Sequence, residues 1–123
     1  MRLTLDTDPN ANLVTGIGPA GVRIGAQWYA SSLIVSAFEL LPDWPVRDFA
    51  ALDLDALAPA LALDPGILIL GTGDRICFPE SALYAGLAAR GIGLEVMDTS
   101  AACRTYNVLL NEDRPVVAAL ILP

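Results

Sequence analysis

The chain has 123 residues, 54% of them apolar, with seven arginines, no lysine, fourteen acids and no histidine, for a net charge of −7. A chain this long buries enough surface to fold as one domain without metal or disulfide staples, and its acidity repels a nucleic-acid backbone. Arg2, Arg23, Arg47, Arg75, Arg90, Arg104 and Arg114 are scattered singly, so no basic stripe offsets that repulsion and nucleic acid is excluded as a partner.

Without histidine the commonest general base and metal ligand are gone, and Ser-His-Asp and Cys-His mechanisms with them. The longest apolar run, Val116 to Leu122, has seven residues, whereas a membrane-spanning helix needs about 20. No membrane span is expected, and the apolar excess fits parallel strands buried on both faces. Acids interrupt Met1-Arg2-Leu3-Thr4-Leu5-Asp6-Thr7-Asp8, so the start lacks the apolar stretch of a signal peptide and the expected compartment is cytoplasmic.

The first third has the texture of an antiparallel meander, with β-prone runs at Leu3–Thr7, Leu13–Ile17, Gly21–Ile24, Gln27–Tyr29 and Ser32–Ser36 cut by turn residues. Gly25-Ala26 puts glycine first, as a two-residue type II′ hairpin prefers. Trp28 and Tyr29 fall on opposite faces of their strand, one inward and the other at least partly exposed. The prolines of Leu40-Leu41-Pro42-Asp43-Trp44-Pro45 rule out a central strand and mark a connection to the second half.

Leu54, Leu57, Ala58 and Leu61 have helical spacing, with Asp53 or Asp55 as N-cap and a start near Asp55 that keeps Pro59 in the first turn. Ile67-Leu68-Ile69-Leu70 then reads as the central buried strand, ended by Gly71-Thr72-Gly73. A helix follows Phe78-Pro79-Glu80, with Leu83, Tyr84, Leu87 and Ala88 apolar and Gly91 as its stop. Ile92–Met97 is the next strand, a third helix runs from Asp98-Thr99-Ser100 to about Asn111, and Val116–Leu122 forms an interior final strand.

The expected fold is therefore α/β: a compact three-layer domain over residues 1–123, with the N-terminal meander added to a βαβαβ parallel core joined by two right-handed crossovers. Ligands of such sheets favour the crevice beyond the strands' carboxyl ends. That places the candidate site at Gly71, Thr72, Gly73 and Arg75 with Asp98, Thr99 and Ser100. The helix start near Thr99, with Arg75 and the hydroxyls of Thr72, Thr99 and Ser100, could hold a small anion.

No cofactor or metal is indicated. Gly71-Thr72-Gly73-Asp74-Arg75-Ile76 has isoleucine where the dinucleotide fingerprint needs its third glycine, and no Gly-Lys pair supplies a phosphate-binding loop. Cys77 and Cys103 lack CxxC partners, which argues against zinc. Ala102, Cys103, Tyr106, Leu109 and Leu110 share one apolar stripe, so Cys103 is expected in the core and not as an activated thiolate. Arg104 and Asn107 lie on the opposite, polar face, expected to meet a partner. The pairs Asp53/Asp55 and Glu112/Asp113 sit near helix ends and read as caps and turns.

The segment Met97-Asp98-Thr99-Ser100-Ala101-Ala102-Cys103-Arg104-Thr105-Tyr106-Asn107-Val108-Leu109, with Leu68-Ile69-Leu70-Gly71-Thr72-Gly73 before it and Val116–Ile121 after it, resembles the domain-of-unknown-function 498 family. Gly21-Val22-Arg23-Ile24 and Trp28-Tyr29 fit the family's N-terminal half. The resemblance implies a compact mixed α/β domain, and the family's mitochondrial members imply a non-catalytic role in assembling complex I. It supplies no catalytic residues. Two functions are thus carried forward: an accessory, interaction domain with a protein partner or a second copy of itself, and a binder or transformer of a small anion at the 71–75 and 98–100 loops.

Overall fold

A computed structural model describes residues 10–122; the strand expected at Leu3–Thr7 lies outside them. Two sheets form. Strands β1 (Val14–Gly18), β2 (Gly21–Ile24) and β3 (Gln27–Tyr29) make a three-stranded antiparallel sheet in that order. Gly25 turns at φ +60 while Ala26 keeps φ negative, as a type II′ hairpin requires. Trp28 points outward at 44% exposure, whereas Tyr29 packs on the core.

Strand β4 (Leu33–Ser36) leaves this meander, contrary to expectation, and joins the large sheet. The physical reason is its composition: Leu33, Ile34 and Val35 are consecutive and all fully buried, and a small sheet covered on one face has no place for a strand that is apolar on both. Strand β5 (Leu40–Leu41) pairs antiparallel with β4 as a two-residue edge, so the connection contributes a short strand before Pro42 stops it.

The large sheet runs β5-β4-β8-β6-β7, with β6 (Ile67–Gly71), β7 (Gly93–Met97) and β8 (Val116–Leu120) parallel and β4 antiparallel to β8. Strand β6 is central to the parallel trio, but β8 is central to the whole sheet, and all five of its residues are buried.

Helices cover both faces. On one, α3 (Thr99–Asn111) and the small sheet bury Cys103, Tyr106, Leu110, Val22 and Ile24 against Leu33, Val35, Ile69, Ala118 and Leu120. On the other, α1 (Ala58–Leu61) and α2 (Ser81–Ala88), with Trp44 and Val46 of the connection, cover Ile34, Leu68, Leu70, Val117 and Ala119. The period-2 alternation of each strand thus splits its apolar residues between two cores. The β6–α2–β7 crossover steps outward and β7–α3–β8 steps back across β6 on the opposite face, so both have the same hand.

Helix α1 is shorter than the spacing suggested. Pro59 occupies its second position, and because proline has no N–H, the Asp55 carbonyl cannot receive an i+4 bond and the helix cannot extend back to residue 55. Asp53 instead caps the preceding turn, its Oδ1 accepting from the Ala56 N–H at 2.7 Å.

Candidate functional site

The three parallel strands end side by side, and the residues just beyond them are bound into one structure. Thr99 is buried; its hydroxyl donates to the Ile121 carbonyl at 2.8 Å and accepts from the Gly73 N–H at 2.9 Å. The Thr99 N–H in turn reaches the Gly73 carbonyl at 2.9 Å. One side chain therefore ties the ends of β6, β7 and β8. Thr72 is also buried, its hydroxyl donating to the Arg75 carbonyl at 2.8 Å and accepting from the Cys77 N–H at 3.1 Å, which fixes the outgoing loop.

Gly71 lies beneath this knot. A Cβ there would stand 3.0 Å from both Cα and Oγ1 of Thr99 and 3.1 Å from Cβ of Ala102, so glycine is what lets α3 start directly against β6.

Asp98 is the N-cap of α3, accepting from the Ala101 N–H at 2.8 Å through Oδ1. Its carbonyl accepts the Ala102 N–H at 2.9 Å. With the Thr99 N–H already on Gly73, most donors of the first turn are committed, and the negative group that a helix start favours is the protein's own carboxylate.

Above these residues opens a cleft of about 540 Å³, walled on the far side by Ile17 and the Gly18–Gly21 turn of the small sheet, and on the near side by Gly73, Asp74, Asp98, Thr99 and Ser100. Its size suits a small ligand or a side chain. Of the residues the sequence singled out, Gly73, Asp98, Thr99 and Ser100 line it together; Gly71 and Thr72 are buried below it, and Arg75 is exposed outside the lining. Among the described residues the lining carries two carboxylates, Asp74 and Asp98, and no cation.

The polar face of α3 divides. Arg104 is exposed, its guanidinium donating to Ser100 Oγ at 2.9 Å. Asn107, expected to face a partner, is used inside the molecule: its Oδ1 accepts from the Val14 N–H at 2.9 Å and its Nδ2 donates to the Val14 carbonyl at 2.8 Å. The amide thereby serves β1 as a neighbouring strand would and docks the small sheet on α3. Tyr106 adds a bond from its hydroxyl to the Asn12 carbonyl at 2.7 Å. Cys103 is buried at 2% exposure, and burial, opposed by the weaker influence of Arg104, pushes its thiol up to about 11.

Sequence reasoning placed the 71–75 loop at the site without singling out Asp74, and it missed the Gly18–Gly21 turn as the other wall. The signal in the turn was its glycine: Gly21 has φ +116, and a Cβ there would meet the Tyr29 carbonyl oxygen. Among the described residues no helix is long and apolar enough to cross a membrane, and no group of three or more Cys, Asp or Glu side chains could hold a metal.

A five-stranded mixed sheet sandwiched by helices, with a small antiparallel sheet overhanging its strand ends, defines a small α/β protein with a strand-end cleft. The chain belongs to the family described as Protein of unknown function (DUF498/DUF598), whose model matches residues 14–121. It is 37% identical over 82 residues to NADH dehydrogenase (ubiquinone) 1 alpha subcomplex assembly factor 3 of Xenopus tropicalis, a match covering 65% of this chain and 45% of that protein. The match therefore spans less than half the length of that relative. An uncharacterized protein of Rhodobacter capsulatus is 36% identical over 108 residues, 88% of this chain and 82% of the other. A crystal structure from Bordetella parapertussis superposes with a TM-score of 0.86 at 33% identity, covering 92% of this chain and 97% of that one.

Proposed function

We propose that this chain is a non-catalytic accessory domain of the cytoplasm that binds other protein chains during assembly of a respiratory NADH dehydrogenase. The kinship with assembly factor 3 carries this reading. What the strand ends offer supports it. The hydroxyls of Thr72 and Thr99 are spent on backbone groups, and the Cys103 thiol is held protonated in the core at neutral pH. The remaining cleft is shaped more for holding than for reacting.

The test is removal of the gene from the organism that makes the protein, followed by assay of NADH–ubiquinone oxidoreductase in its membranes and affinity isolation of the tagged chain in mild detergent. A several-fold fall in that activity, with subunits or assembly partners of the enzyme recovered on the tag, is expected. Full activity and no such proteins on the tag would overturn the reading.

A further inference from the structure

We propose that the strand-end cleft receives an arginine or lysine side chain carried on an extended segment of a partner protein. The proposal rests on the accessory role above and deepens it by naming the kind of contact. Its first ground is charge. Asp74 and Asp98 both line the cleft; Asp74 is exposed with no hydrogen bond or ion pair to the described residues, and Asp98 spends Oδ1 on capping α3. Among the described residues no cation lines the cleft: Arg75 stands outside it and Arg104 is held at Ser100. A chain of net charge −7 attracts basic segments at long range, and two carboxylates give the arriving cation charge-assisted hydrogen bonds.

The second ground is the walls. Ile17, Pro19 and Ala20 on one side and Ile121 and Leu122 below are alkyl surfaces, suited to the methylene stem of a long basic side chain whose head stays among the acids. The third is length. A further recess of about 310 Å³ shares Ala30 and Leu122 with the cleft and continues it to Ser31 and Arg47. The two recesses meet at those shared residues and together offer more room than a lone amine requires, and the second holds exposed Arg47, beside Asp43, for a carboxylate of the same segment.

The test uses three probes in titrations followed by amide nitrogen–proton spectra of the whole chain: an acetylated, amidated hexapeptide with one arginine among alanines and leucines, its glutamate counterpart, and agmatine as a free alkyl guanidinium. The arginine peptide should shift the amides of Gly18, Ala20, Gly73 and Ser100. Its affinity should drop about tenfold in Asp74→Arg, the loss of one charge-assisted contact, and fall with added salt. Asp74 has no partner among the described residues, so the variant's unperturbed spectrum elsewhere certifies its fold.

Absence of cleft shifts at millimolar peptide, or an equal response to the glutamate peptide, would overturn the proposal. Agmatine binding as tightly as the peptide would also overturn it, by making the cleft a site for free amines. The two readings are tested apart: if Asp74→Arg still isolates the same partners as the parent chain, the cleft proposal is overturned while assembly binding stands.

Discussion

Cys103 shows how burial at a single position disarms a group that looks reactive on paper. In the first turns of a helix and next to an arginine it has the outward marks of a nucleophile, yet desolvation outweighs the Arg104 charge and its pKa rises from 9.0 to about 11. A raised pKa on a thiol means that between those values the folded chain keeps a proton the unfolded chain has lost. The stabilisation is full below pH 9 and disappears as pH climbs through about 11. Folding free energy should therefore decline by on the order of 2 kcal/mol across that interval, and Cys103→Ala should flatten the part that starts near pH 9. Tyr106, raised from 10.0 by burial alone, adds its own decline at higher pH. Urea melts at a series of alkaline pH values check this; a slope unchanged by Cys103→Ala would show the thiol to be solvated.

Among elements, the consequential contacts are side chains that act as backbone. Thr99 joins three strand ends, Asn107 stands in for a strand beside β1, and the Ser32 hydroxyl donates to the Leu122 carbonyl at 3.2 Å and accepts from its N–H at 2.8 Å. Thr99→Val keeps the shape but leaves the Gly73 N–H and Ile121 carbonyl unpaired, so it should cost about 2 to 3 kcal/mol in a urea melt. Arg75→Ala, an exposed change, should cost under about 0.5 kcal/mol; similar losses from both would mean that Thr99 is not the tie described.

These same contacts mark where sequence reading stopped. The βαβαβ order was legible because apolar runs such as Ile67–Leu70 and Val116–Leu122 carry no alternation and are punctuated by Gly and Pro. The residues of the strand-end loops were legible because topology alone places them together. The Asn107 clasp was not, since it joins positions 93 residues apart and nothing local distinguishes a buried amide from a solvated one. Nor was the entry of β4 into the large sheet, although the unbroken Leu33-Ile34-Val35 carried the same two-sided mark as β6. Within the 71–75 loop Arg75 was singled out over Asp74, which lines the cleft, because which of two neighbours borders a crevice depends on backbone angles that composition does not encode.

For the molecule as a whole, the large sheet is completed across its middle. Strand β8 lies between β4 and β6, and the cores on both faces draw on it, Ala118 and Leu120 on one side, Val117 and Ala119 on the other. Pairing β4 with β8 brings together Leu33 and Leu120, contacts of long sequence separation that form late because loop closure must come first. A version ending at Arg114 should give no cooperative urea transition, whereas the longer chain does; a sharp transition in the shortened one would mean that the remaining strands can close up on their own.

That strand order also constrains how the protein is made. A ribosome delivers β4 and β6 well before β8, so for the interval of synthesis in between two apolar strands each expose a ladder edge with no legitimate partner. Such edges recruit other nascent chains, and fast elongation through Asn111–Val116 or a holding chaperone would shorten the hazard. The position of one strand in the sheet thus ties yield in the cell to translation speed through the codons for Asn111–Val116.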